Sequence, residues 1–198
     1  ERLGQLLLPP VLISYPEFRR EGTSATETIQ DFYSPCPTGQ KVFADSGAFS
    51  VEMRGAKVDL KEYMAWLETN KGSFFHYAAL DVIKDPKESI ANWKTMRLLG
   101  LDPVPVFHVG EPWEFLEEYN LSCSLVGLGG VVRYSRGQVP GRSRRAVMSW
   151  LVKCFKCKPD GVSYHGFGVG GWGMIASFPW ASVDSTSWKG GICWGNPL

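Results

Sequence analysis

The feature that most constrains this chain is an alternation. Short apolar runs, each stopping on a polar residue or a glycine, are followed by helix-patterned segments. Seven runs read as strands, at 11–15, 42–44, 74–80, 104–107, 124–128, 162–164 and 180–183. Most are continuously apolar rather than alternating, the pattern of a parallel sheet covered by helices on its faces. Between them, Asp59 and Glu62 open a helix with Leu60, Tyr63, Met64 and Leu67 at helical spacing. Asp85-Pro86 opens another, lined by Ile90, Trp93 and Met96 and ended by Gly100. Pro112 opens a short helix through Phe115, Leu116 and Tyr119, and a basic helix spans 143–157 with Val147, Trp150, Leu151 and Cys154 inward. Ser24 and Glu27 form a capping box before Ile29 and Phe32. No Gly-x-Gly-x-x-Gly turn follows the first strand, which argues against a dinucleotide-binding sheet. The expected fold is an α/β parallel (β/α) barrel, small or incomplete, filling 1–198 as a single domain.

The polar residues with chemical potential sit where strands end: Asp45, Asp81, His108, Gly129-Gly130, His165 and Asp184. In a parallel barrel those ends converge on the face where active sites are built. The segment at 41–50 has the parts of a pocket for a planar ligand. A strand stops on Asp45, the small residues Ser46, Gly47 and Ala48 allow a tight turn, and Phe49 offers a flat apolar face. Each acid also has a plainer reading as a helix cap. That reading fits Asp59 and Asp85 best, and Asp184 least, because Ser185 to Gly191 does not continue as an amphipathic helix. For His108 and His165 the plainer reading is a satisfied core histidine, and for Phe49 it is core packing.

Charge is unevenly spread. The net charge is +1, yet 133–158 holds eight basic residues and no acid, so the remainder carries −7. The run contains Arg133, Arg136, Arg142, Arg144 and Arg145. It reads either as a polyanion-binding patch or as a solvated helix face. No apolar run is long enough to span a bilayer. Five cysteines do not make a disulfide framework at this length, which points to a reducing compartment. The first residues lack an initiator Met and do not read as a signal peptide, so a trimmed fragment is expected.

These residues resemble the guanine transglycosylases, the queuine tRNA-ribosyltransferase superfamily. Those are βα-barrel enzymes that exchange a guanine in a polynucleotide for a 7-deazaguanine. Their Asp-Ser-Gly-Gly-aromatic motif resembles Asp45-Ser46-Gly47-Ala48-Phe49, and their base-recognition turn resembles Gly129-Gly130. Their apolar-Gly-Val-Gly turn is similar to His165-Gly166-Phe167-Gly168. Their nucleophilic Asp follows that turn by a little under twenty residues, and Asp184 lies 16 beyond Gly168. The resemblance spans about residues 42–188. It implies Asp184 as nucleophile and Asp45 as general acid and base. It implies Asp81 as reader of the guanine edge, His108 and Gly130 as donors to O6, and Phe49 and His165 as covers for the two faces of the base.

Three departures shape the expected substrate. Ala48 replaces the second Gly of the first motif, and Thr186-Ser187-Trp188 stands where the family has Pro-Thr-Arg. The family's Cys-x-Cys-x-x-Cys…His zinc site is missing. Cys154-x-x-Cys157 has the spacing of half a zinc site but falls inside a predicted helix, so neither zinc nor another cofactor is expected. Without the zinc subdomain the shorter relatives that modify DNA are the better match. The resemblance then implies DNA as partner, a preQ0-like base as co-substrate and the cytoplasm of a bacterial or phage-infected cell. Accessory proteins stay open as further partners. The same exchange on tRNA is the first alternative. A barrel that binds nucleic acid or a base without exchanging it is the second.

Overall fold

The computed structural model describes residues 10–18, 27, 41–52, 54, 57–131 and 144–185. The chain divides into two compact units, Glu1–Pro103 and Val104–Leu198. Each is α/β with parallel strands. All seven apolar runs contribute a strand, three in the first unit and four in the second.

In the first unit β1 (Val11–Ser14), β2 (Val42–Asp45) and β3 (His76–Tyr77) lie in the order β1-β2-β3. Val11 pairs with Val42 and Ser14 with Asp45, which aligns the ends of β1 and β2. Only two residues of the run 74–80 pair as strand. Their neighbours still follow β2, since Phe75 N–H donates to Val42 O and Ala78 N–H to Ala44 O. Two short helices, α1 (Tyr15–Phe18) and α2 (Ala48–Glu52), leave the ends of β1 and β2 at once. The long helices start where the sequence places caps. Asp59 accepts from Glu62 N–H at 3.0 Å to open α3 (Leu60–Asn70), and Asp85 accepts from Glu88 N–H at 2.9 Å to open α4 (Pro86–Leu98). Gly100, at φ +85°, ends α4 in a Schellman turn. Its N–H reaches Arg97 O, and Leu101 N–H reaches Met96 O. Ile13, Ala44, Tyr63, Leu67, Ala78 and Met96 are fully buried between sheet and helices. Each large apolar chain among them contributes roughly 1.5–3 kcal/mol relative to exposure.

In the second unit β4 (Val106–His108), β5 (Leu125–Gly129), β6 (Ser163–Gly166) and β7 (Ser182–Val183) lie in that order, all parallel. The register sets His108 beside Gly129, Gly127 beside His165 and His165 beside Ser182. The polar strand ends are therefore laterally aligned. Helix α5 (Trp113–Ser122) buries Leu116, Tyr119 and Asn120, and α6 (Arg144–Lys156) buries Val147, Trp150, Leu151 and Cys154. The Tyr164 hydroxyl on β6 donates to Asn120 at 3.1 Å, tying sheet to helix through a buried polar bond. A short helix, α7 (Trp172–Ile175), follows β6. Neither sheet closes on itself among the described residues. None of the described helices is long and apolar enough to cross a membrane.

Candidate functional site

The first unit holds its acids with small residues. Asp45 is the last residue of β2, and its Oδ2 accepts from Gly47 N–H at 3.2 Å. Ser46 is fully buried. Its hydroxyl donates to Asp81 Oδ1 at 2.8 Å and accepts from Ala48 N–H at 3.3 Å. One serine thus joins the Asp45 turn to the acid that follows β3. Gly47 is demanded twice over. It sits at φ +71°, and a Cβ there would lie 2.2 Å from Pro16 Cδ.

Tyr63, on α3, is fully buried. Burial raises its hydroxyl pKa well above the ordinary value, and the negative charges of Asp45 and Asp81 raise it further. The hydroxyl stays protonated and donates to Ala78 O at 2.8 Å. Two carboxylates acting on one buried hydroxyl share one locality. Phe49, on α2, is 41% exposed, so its ring has an open face. Asp81 accepts from Ser46, while the cap of α4 is Asp85; the plainer role of helix cap thus falls on the later acid.

The second unit holds imidazoles with carboxylates. His108 ends β4, and Glu111 grips it twice. Its Oε2 accepts from the His108 backbone N–H at 3.0 Å, and its Oε1 lies 3.1 Å from Nδ1. Gly129 makes room for this ring, since a Cβ there would stand 2.7 Å from His108 Cδ2. Gly130 follows at φ +78°, which turns the chain away from β5. Glu111 escaped the sequence reading because it lies in a turn, off any strand end. Its signal was the His-x-x-Glu spacing of a tight turn.

His165, on β6, is 3% exposed. Its Nδ1 lies 2.7 Å from Ser182 Oγ, its Nε2 lies 3.3 Å from Asp184 Oδ1, and its ring packs edge-on to Phe167. The Nε2 contact has the distance of an ion pair without the alignment of a hydrogen bond. Asp184 Oδ1 also accepts from Gly168 N–H at 3.1 Å, and the Asp184 backbone N–H donates to Gly166 O. The glycine turn after β6 and the acid after β7 are therefore one hydrogen-bonded unit. The Asp184 side chain keeps 24% exposure, so it meets solvent while held in place. This geometry suits His165 to orienting Asp184.

Arg144 and Arg145 are exposed in the first turn of α6. Arg133, Arg136 and Arg142 lie outside the described residues, as do Thr186, Ser187, Trp188 and most of the segment capped by Ser24. No group of three or more His, Cys, Asp or Glu among the described residues is placed to hold a metal ion. Cys154 is buried, its thiol pKa pushed up chiefly by burial, and Cys157 Sγ donates to Cys154 O. Cys154 belongs to the buried face of α6, and Cys157, just past its end, is exposed. Set against protein families, curated proteins and solved structures, the chain matches none.

Proposed function

We propose that this protein is a base-exchange transglycosylase that replaces a guanine in DNA with a 7-deazaguanine of preQ0 type. In this reading the seven strands belong to one small (β/α) barrel. The observation that carries it is the Ser46 bridge, which joins the Asp45 turn to Asp81 at 2.8 Å. Ser46 holds Asp81 beside the turn on which Asp45 accepts from Gly47 N–H, and two acids so placed suit a purine that must be both gripped and protonated.

The chemistry divides among named atoms. Asp184 Oδ1 is engaged by Gly168 N–H, so Oδ2 is the atom assigned to attack C1′ of the target nucleotide. The new C1′–O bond forms as the C1′–N9 bond breaks, and a covalent sugar–Asp184 ester results. Asp45 donates its proton to the leaving guanine. It then takes one from the incoming base, whose ring nitrogen displaces Asp184 and restores the nucleotide. Asp81 accepts from the N1–H and amine edge common to both bases. Phe49 stacks on the purine, and His108, held by Glu111, and Gly130 N–H face O6.

The test is a head-to-head incubation of the full chain with labelled guanine and separate DNA and tRNA pools. Label is expected to enter DNA, and faster than tRNA at equal salt. Faster entry into tRNA moves the substrate to tRNA. Entry into neither, with base binding retained, leaves a binding protein.

A further inference from the structure

We propose that Trp172 and Arg144 form a contact for single-stranded DNA beside the target base, the indole stacking on one base and the guanidinium meeting a phosphate. The inference deepens the reading above and rests on it for the identity of the polymer.

Trp172 is 82% exposed, whereas Trp93 and Trp150 are 2% and 8% exposed. It is not presented on a slack loop. The opposite side of α7 is anchored by buried Met174, whose carbonyl accepts from Trp180 Nε1 at 3.2 Å. Gly171 N-caps the helix, and a Cβ there would meet nothing within 4 Å, so the surface next to Trp172 is open. A rigid aromatic ring held out in water is a ready stacking surface with little ordering left to do on binding.

The charge beside it has the sign a phosphate needs. The Arg144 guanidinium lies 3.4 Å from where a Cβ on Gly173 would stand, so it rests against the backbone next to Trp172. Arg145 is exposed alongside, and the first turn of α6 holds no acid. Two cations at the positive end of a helix dipole repel it, and a bound anion relieves that repulsion. No ionisable side chain occurs from 166 to 183, so this segment adds no negative charge of its own beside the Asp184 carboxylate that Gly168 N–H holds. An aromatic face flanked by arginine is the pairing that single-stranded nucleic acid uses. Trp172 also lies four residues beyond Gly168, whose N–H holds Asp184. The stack is therefore within about 14 Å of chain from the proposed nucleophile's anchor.

The experiment measures anisotropy of a fluorescein-labelled oligothymidylate titrated with the full chain at several salt concentrations. Trp172→Ala is expected to weaken binding on the order of tenfold, while Trp172→Phe retains most of it. Arg144→Gln should lower the log–log salt slope by about one unit. Guanine affinity by calorimetry should be unchanged in all three. Wild-type affinity in Trp172→Ala, with label still entering DNA, overturns this contact and leaves the exchange reading standing. A wild-type chain that binds no DNA removes the contact and the assigned polymer together. Tighter binding to phosphatidylserine vesicles than to the oligonucleotide, lost in Trp172→Ala, assigns the indole to a lipid surface instead.

Discussion

In Val104–Leu198 each strand-end histidine faces a carboxylate: His108 with Glu111 and His165 with Asp184. In Glu1–Pro103 the strand-end acids accept from neutral donors, Gly47 N–H for Asp45 and the Ser46 hydroxyl for Asp81. The difference is one of partner chemistry. An amide or hydroxyl donor keeps its own proton whatever the charge of the acid it holds. The carboxylate beside the His165 imidazole is tied at one oxygen by Gly168 N–H, which leaves the other oxygen to face a substrate. Glycines serve both units, but differently. Gly47 is needed for its own backbone angle, whereas Gly129 is needed for the room it leaves to His108.

The largest effect is expected on the imidazole side. Asp184→Asn keeps an oxygen to accept from Gly168 N–H, so the turn after β6 should stay anchored. It removes the negative charge and, with it, the proposed nucleophile. Turnover should fall by several orders of magnitude while circular dichroism and melting stay close to wild type. Near-normal turnover, or a sugar adduct trapped on another residue, would refute the assignment.

The next effect sets the two glycines against each other. Gly47→Ala forces a left-handed residue and a 2.2 Å approach to a proline ring, and should destabilise by at least about 2 kcal/mol. Gly129→Ala meets the His108 ring at 2.7 Å and Val106 Cγ1 at 3.0 Å, side chains rather than a proline ring, and without a left-handed backbone. It should melt nearer to wild type yet lose exchange activity, because His108 leaves its place. Thermal melts and label incorporation on the two variants check this. The reverse order of stability would break the contrast.

The strands were legible because each is a short apolar run that stops sharply; their register was not, since nothing in a continuous apolar run marks which residue pairs with which. Long helices were legible from caps, Asp59 and Asp85 above all, both of which accept from the amide three residues on. The turns α1, α2 and α7 were not, since four or five residues hold too little of a 3.6-residue period to read. Strand-end acids could be picked out one by one, but their partners could not. The distance from Ser46 to Asp81 spans 35 residues of sequence, and Tyr63 read only as one more apolar position on α3. Trp172 was passed over for a related reason: composition counts an aromatic residue the same whether it is buried or held out in water.

The smallest effect concerns two buried tyrosines, one in each unit, and appears only in alkali. Burial raises the hydroxyl pKa of both Tyr63 and Tyr164; at Tyr63 the two acids add to it, and at Tyr164 the bond to Asn120 works against it. The ordinary value is 10.0. Below it both states hold the proton, and the stabilisation is fully present. Above it the unfolded chain releases protons that the folded chain keeps, so the unfolded state binds fewer and stability falls as pH rises. The limiting slope is about 1.4 kcal/mol per pH unit for each tyrosine. Tyr63→Phe removes one such slope. At neutral pH it should lose only about 0.5–1.5 kcal/mol, for the bond to Ala78 O. Urea melts from pH 8 to pH 11 should therefore converge, the variant starting lower and declining less steeply. If the two curves ran parallel above pH 10, Tyr63 would be ionising in the folded state as readily as in the unfolded one. Neither burial nor the charges of Asp45 and Asp81 would then be holding its proton in the folded state.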